Sequence, residues 1–257
     1  MDPESNIDSL FKRRITGHEG AFYLPNFITP EEEEYIIQKI HNSPQPQWKN
    51  LANRRLQIWG GDITAKGTLI SQPLPSFMDK FPDIVSRIKA TGVFNDSPHN
   101  GPNHVIMNEY LPGQGIMPHE DGPRYHPVVA TLSLGSHAIF HYYRYQQEIE
   151  DDAVSRGHGR TIDMIPVASV LLEPRSLIIS TNTMYISHLH GIEDVEEDLI
   201  ASRPGLPGVN IANLTQVEDS QLKQSIDQGI PLQRRVRYSL TCRDVRRVSL
   251  VNSFSRR

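Results

Sequence analysis

The chain has 257 residues, 37% of them hydrophobic, and a formal net charge of −4. That is long enough for one sizeable core but lean in apolar residues, so part of the length must be loop. Its single cysteine, Cys242, excludes an internal disulfide, no apolar run approaches the roughly 18 residues that span a bilayer, and net acidity argues against wholesale coating of nucleic acid.

No basic, apolar leader follows Asp2 and Glu4, so the expected compartment is the cytosol or nucleus, with no membrane and a monomeric chain. Local basic spots remain at Lys12-Arg13-Arg14, Arg54-Arg55, Arg234-Arg235 and Arg246-Arg247. The opening residues are polar and are expected to be loose to about residue 20. Phe22 to Pro25 reads as extended. Thr29-Pro30-Glu31-Glu32 is a helix start: Thr as N-cap, Pro at the first position and Glu at the third to close a capping box. Ile36, Ile37 and Ile40 give that helix its apolar stripe, and Ser43-Pro44-Gln45-Pro46 ends it.

Arg54 to Gly61 mixes cations, aromatics and a glycine pair in a strand and turn. Arginine interleaved with tryptophan suits stacking on an unpaired base, so Arg54, Arg55 and Trp59 are candidate substrate contacts; tryptophans packed under a loop would read the same way. Pro75 to Ile88 has helical periodicity that Pro82 should kink or split. From His104 the pattern changes to short β runs: His104 to Tyr110, Val128 to Leu134, Ala138 to Tyr143, Val167 to Glu173, Ser176 to Thr181 and Arg235 to Cys242. Helices first and strands afterwards predict an α+β fold, a jelly roll with N-terminal helices packed on one sheet. Residues 145–165 and 193–233 fit no element and are expected to be mobile insertions, the second with a short helix near Gln221 to Ile226. Residues 249–257 read as a basic tail.

Chemistry concentrates in Asn108 to Asp121, which ends in His119-x-Asp121. Residues i and i+2 of a strand share a face, so this pair can offer an imidazole and a carboxylate to one metal ion. Either His188 or His190 could be a distal third ligand; His190 is preferred because Gly191 lets backbone approach closely. Two histidines and one carboxylate leave metal positions open, as non-haem Fe(II) oxygen chemistry requires, whereas structural zinc usually calls for more cysteine than this chain has. Asn108 and Tyr110 share a strand face, as do Arg237, Ser239, Thr241 and Arg243. Cations on an inner strand face need anionic partners, and a dicarboxylate gripped by an arginine fork would be one.

N-x-Y-x-x-G-x5-H-x-D at Asn108 to Asp121, His190-Gly191-Ile192 and R-x-S-x-T-x-R at Arg237 to Arg243 resemble the AlkB family of Fe(II)- and 2-oxoglutarate-dependent dioxygenases. Leu56 to Gly61, Gly115 to Pro123 and Leu132 to Ser136 are similar to its subgroup called AlkB homologue six. The likeness runs from about Tyr23 to Val248, skipping the two insertions, and implies a single domain over 21–248. It implies a double-stranded β-helix, iron on His119, Asp121 and His190, and 2-oxoglutarate with its distal carboxylate on Arg237. Arg243 would lie near the other carboxylate and Asp121, with Asn108, Tyr110, Ser239 and Thr241 completing the pocket. Ser239 replaces the family's usual Asn, and Pro123 stands where repair members often carry a second acid.

The implied reaction consumes Fe(II)-activated O2 and 2-oxoglutarate, releases succinate and CO2, and hydroxylates a C–H bond. On an N-methylated base of single-stranded or flipped-out DNA or RNA, that would release formaldehyde. The alternatives are a 2-oxoglutarate-dependent protein or small-molecule hydroxylase or demethylase, and a non-catalytic nucleic-acid-binding or adaptor module.

Overall fold

The computed structural model describes residues 9–146 and 160–250. The N-terminal half carries β1 (Ala21–Leu24), α1 (Pro30–His41), β2 (Lys49–Leu51), β3 (Arg54–Trp59), β4 (Gly61–Ile63), β5 (Thr68–Ser71), α2 (Ser76–Asp79) and α3 (Ile84–Ala90). The middle of the chain supplies β6 (His104–Tyr110), β7 (Ile116–His119), β8 (Tyr125–Leu134), β9 (Ala138–Tyr145), β10 (Ile162–Leu172), β11 (Leu177–Thr181), α4 (Asn182–Ile186) and β12 (Leu189–Ile192). Then come β13 (Glu197–Asp198), α5 (Ser220–Asp227), β14 (Leu232–Gln233), β15 (Arg237–Val245) and β16 (Arg247–Leu250).

Two sheets face each other. The larger runs β1-β11-β8-β15-β6-β3-β2 and the smaller β10-β9-β12-β7, the jelly roll expected from the β runs. Alternation along β15 decides what each face becomes: Tyr238, Leu240 and Cys242 point into a core shared with Ile36 and Ile40 of α1 and Ile84 and Ile88 of α3. Arg237, Ser239, Thr241 and Arg243 therefore face the smaller sheet. Cys242 is a buried core residue whose thiol is pushed up to about 12 by burial.

The local signals for α1 are all realised. Glu32 N–H donates to Thr29 Oγ1 at 3.3 Å, and Thr29 N–H donates to Glu32 Oε2 at 2.9 Å. Pro82 splits its stretch into α2 and α3, and Asp83 caps α3 by accepting from Ser86 N–H at 3.1 Å. Gly61, at φ 119°, sits so close to the chain that a Cβ there would lie 2.0 Å from the Ile70 carbonyl oxygen, so only glycine fits this turn.

Three expectations need correction. Residues 9–20 are not loose: Leu10 and Ile15 are buried and Arg14 bridges Phe22. The 193–233 segment is an ordered layer on the outer face of the smaller sheet, where Ile200, Val217, Ile226 and Leu232 pack on Ile139 and Leu171. Asp219 caps α5 there, at the helix expected near Gln221 to Ile226, and β13 pairs with β14. In the other insertion, Ile162 and Asp163 pair with Tyr145 and Arg144, so β9 and β10 extend into it; residues 147–159 lie outside the described residues, as do 251–257 of the basic tail. Arg247–Leu250 of β16 run parallel to β5.

Candidate active site

β7 and β12 are antiparallel neighbours in register His119 to His190, so two residues far apart in sequence stand side by side at one end of the smaller sheet. Close packing makes this possible: a Cβ on Gly191 would lie 3.0 Å from Ile116 O. The two imidazole rings are 4.4 Å apart, and His190 stacks on Phe140 at 5.3 Å. His190 Nε2 lies 3.9 Å from Asp121 Oδ1, and ligand atoms of His119, Asp121 and His190 all fall within 4.8 Å of one another. His119 Nδ1 is 2.8 Å from Met117 O, which assigns the proton to Nδ1 and leaves Nε2 free as a ligand. His188 is turned to Thr183 O instead, so the choice between the two histidines falls to His190.

The protonation states suit a metal. Burial drives the His190 imidazole down to about 4, against the pull of Asp121. Burial likewise lowers His119. For Asp121 burial acts upward, but Arg243 and the two imidazoles outweigh it and hold the carboxyl below its ordinary range. Neutral imidazoles beside an ionised carboxylate are the forms that ligate. Asp121 Oδ1 accepts from Arg243, while Asp121 Oδ2 is buried with no donor. A cation would satisfy that orphaned oxygen.

A second polar pocket continues inward along β15. Arg237 is 3% exposed, donates from Nη2 to Ser133 Oγ at 2.8 Å, and leaves Nε and Nη1 without acceptors. Arg243 likewise leaves Nε and Nη1 unpaired. Burial, against the pull of Tyr110 and with a smaller push from Arg234, brings the Arg237 guanidinium down to about 10, still charged at neutral pH. Ser239 is opposite Asn108 and Ser133, and Thr241 opposite Thr131, on the two neighbouring strands. The buried Tyr110 hydroxyl lies in the field of Arg237, Arg54 and Arg243. Buried cations with unspent donors, ringed by hydroxyls, fit a dicarboxylate.

A cleft of about 570 Å3 opens on the metal site, with Arg54, Met117, His119, Asp121, Tyr125 and Arg243 in its walls. Among the three candidate substrate residues, only Arg54 reaches it. Arg54 Nε donates to Asn108 Oδ1 at 3.0 Å, which also ties the cleft wall to the polar pocket. Strand alternation turns Arg55 and Trp59 to the opposite face. There Arg55 grips Glu109 at 2.5 and 2.8 Å and stacks on Trp48, and Trp59 is buried against Phe77 with its indole N–H on Gln57. Those two are structural.

Some residues of the site had no sequence signal for the role they take. Tyr125 forms the wall beside Arg243, 5.0 Å from its guanidinium carbon, and Tyr185 of α4 donates to Gly122 O at 3.3 Å, steadying the turn after Asp121. Ser133, the partner of Arg237, reads in sequence as one hydroxyl in a strand. Each is brought in by tertiary pairing of distant segments.

A jelly roll with two histidines and a carboxylate at its mouth, and buried arginines behind them, is the framework of a non-haem iron oxygenase that takes an oxo-acid cosubstrate. The family model described as the 2OG-Fe(II) oxygenase superfamily matches residues 20–243, so the chain belongs to that superfamily and, by its relatives, to the AlkB family within it. The protein named Probable RNA/DNA demethylase ALKBH6 of Danio rerio is 38% identical over 235 residues, 91% of this chain and 89% of that one. Uncharacterized protein L905 of Acanthamoeba polyphaga mimivirus is 29% identical over 136 residues, 51% of this chain and 60% of its own. The solved structure of OsALKBH1 superposes with a TM-score of 0.51 at 14% identity, covering 88% of this chain and 99% of that one, a likeness of fold. The protein is thus a dioxygenase dependent on Fe(II), 2-oxoglutarate and O2.

Proposed function

We propose that this dioxygenase removes N-methyl groups from bases of single-stranded or flipped-out DNA or RNA. The observation that carries the reading is the cleft, which opens directly on the His119, Asp121 and His190 cluster and is walled by Arg54 and Tyr125. Exposed Leu51 and Met117 stand at the same cleft, apolar edges suited to a base that has left its stack. The name borne by the Danio rerio relative supports the same substrate class.

His119, Asp121 and His190 would hold Fe(II). When bound, Fe(II) with 2-oxoglutarate and O2 supplies the oxidation that puts one oxygen atom into a C–H bond, with release of succinate and CO2. Arg237 would anchor one carboxylate of 2-oxoglutarate through its unpaired Nε and Nη1, with Ser133 fixing the guanidinium plane. Asn108, Tyr110, Ser239 and Thr241 complete that wall. Arg243 orients Asp121 and, through its own unpaired N–H groups, would meet the second carboxylate. Arg54 would meet the edge of the base. A hydroxymethyl group left on a base nitrogen breaks its C–N bond, giving formaldehyde and returning a proton to nitrogen. The position after Gly122 is Pro123, so no carboxylate stands there, and choice among bases falls to the groups that line the cleft, Arg54, Tyr125 and Glu120. Cys242, a free and buried thiol, supports residence in the reducing cytosol or nucleus.

The test is mass spectrometry on a panel of N-methylated single-stranded DNA and RNA oligonucleotides, incubated with Fe(II), 2-oxoglutarate and ascorbate beside a His119→Ala control. Loss of one methyl mass with the wild type alone is expected. Succinate formation with every oligonucleotide unchanged would sink the nucleic-acid substrate and leave the oxygenase standing.

A further inference from the structure

The surface charge of this acidic chain is unevenly neutralised. Arginines in the body of the fold meet carboxylates: Arg87 with Glu32, Arg175 with Glu33, and Arg234 with Asp198. Lys66, Arg124, Arg246 and Arg247 are exposed, and among the described residues none of them has a carboxylate within 4.0 Å. They come from three separate stretches of chain and gather on one side of the cleft.

The gathering is set by pairing. β16 runs parallel to β5 with Arg247 opposite Thr68, so the C-terminal strand carries Arg247 to the turn at Lys66 and Gly67. The Arg247 guanidinium donates to Lys66 O. A Cβ on Gly67 would lie 3.3 Å from Arg247 Nη2 and 3.6 Å from Arg124 Cγ, so both side chains cross that turn. Arg124 precedes Tyr125, the wall of the cleft, and Val245 is paired with Tyr125, which brings Arg246 to the same rim. Arg246 is close enough to act electrostatically on His126 and Tyr185, and Asp244 and Asp96 act on His126 in the opposite sense. The one fully buried acid nearby, Asp244, is committed to His99 and Asn103.

Resting on the substrate reading above, we propose that Lys66, Arg124, Arg246 and Arg247 form a track for the phosphodiester backbone of single-stranded nucleic acid, beside the base that enters the cleft. Exposed cations that pair with no carboxylate, arranged along one rim, suit a chain of phosphates running past the cleft. The track also ties the β4–β5 hairpin to the substrate, because its turn holds one of the cations and lies under two others.

The experiment is fluorescence anisotropy of a labelled single-stranded oligonucleotide against salt, comparing the wild type with an Arg124→Gln/Arg246→Gln double variant. An Arg235→Gln control removes an exposed cation remote from the cleft. Each phosphate left without its cation should reduce the slope of log K on log salt by about 0.7, so the double variant should lose about 1.4 and bind several-fold more weakly at 0.1 M salt, with Arg235→Gln unchanged. A Lys66→Gln/Arg247→Gln variant should repeat the effect, and unchanged melting temperatures would show that both variants fold. Salt-dependent binding by the wild type with an unaltered slope in both double variants overturns the track alone. No binding by the wild type at any salt overturns the nucleic-acid reading, and the track with it.

Discussion

Among the described residues, two places bury an arginine against an aspartate beside a histidine, and they differ in what is left over. On the outer face of the smaller sheet, Arg234 donates to Asp198 at 2.7 and 2.8 Å and to Glu193 O at 2.6 Å, and His137 Nε2 lies 3.1 Å from the same carboxylate. Neither residue has an orphaned buried atom. At the mouth of the barrel, Arg243 and Asp121 pair just as closely, yet Asp121 Oδ2 and Arg243 Nε and Nη1 have no partner, nor do Arg237 Nε and Nη1. Buried polar groups are nearly always satisfied, so the outer cluster reads as structure and the inner one as a site shaped for a cation and an anion.

The sharpest way to break this comparison is to remove the inner carboxylate. Asp121→Ala should reduce conversion of 2-oxoglutarate to succinate to background; retained turnover would show that the orphaned oxygen has nothing to do with metal. Removing the outer carboxylate should do the reverse. Asp198→Ala strands a buried guanidinium and should cost about 3–5 kcal/mol in urea unfolding, with the KM for 2-oxoglutarate unchanged in the protein that remains folded. A large KM effect there would merge the two clusters into one functional unit.

Arg237→Lys keeps the charge and loses the planar fork. A rise in the KM for 2-oxoglutarate of about 10- to 100-fold is expected, without a matching loss of stability. The outer pair should also show itself in acid. Burial acts to raise Asp198, but its bonds with Arg234 and His137 outweigh it and hold its carboxyl below the ordinary value of 3.8. A depressed folded pKa gives stability that is present above pH 3.8 and lost as pH falls through the lower folded value. The stability gap between wild type and Asp198→Asn should therefore narrow below about pH 4; a gap that stayed constant would remove the ion pair from the account. The smallest effect on turnover belongs to Arg55: Arg55→Ala leaves the buried Glu109 carboxylate without its cation and should cost about 1–3 kcal/mol in stability while leaving turnover alone, whereas Arg54→Ala should raise the KM for a nucleic-acid substrate.

The legible parts of this fold were those with a local cause. Thr29 and Glu32 cap a helix through contacts three residues apart, and β6 could be read at His104 to Tyr110 as a short β run. The 193–233 layer was missed for the opposite reason. Ile200, Val217, Ile226 and Leu232 are too widely spaced to make a period, and Asn213 completes its bonds with the backbone of Leu171 across 42 residues. Short strands such as β7 and β12 gave no periodic signal either, although they carry two of the three residues in the metal cluster.

Sequence by itself determined the chemistry: the identities and spacing of His119, Asp121 and His190, and the alternation that puts Arg237, Ser239, Thr241 and Arg243 on one face. Those follow from strand geometry, which every residue of a strand obeys locally. Tertiary structure decided which groups are left unsatisfied and which are spent. Arg54 and Arg55 are neighbours with equal claims in sequence, yet one lines the cleft and the other is held by Glu109, because β6 offers Asn108 on one side and Glu109 on the other. Partnership across strands is a property of the folded sheet, and it divides binding groups from supporting ones.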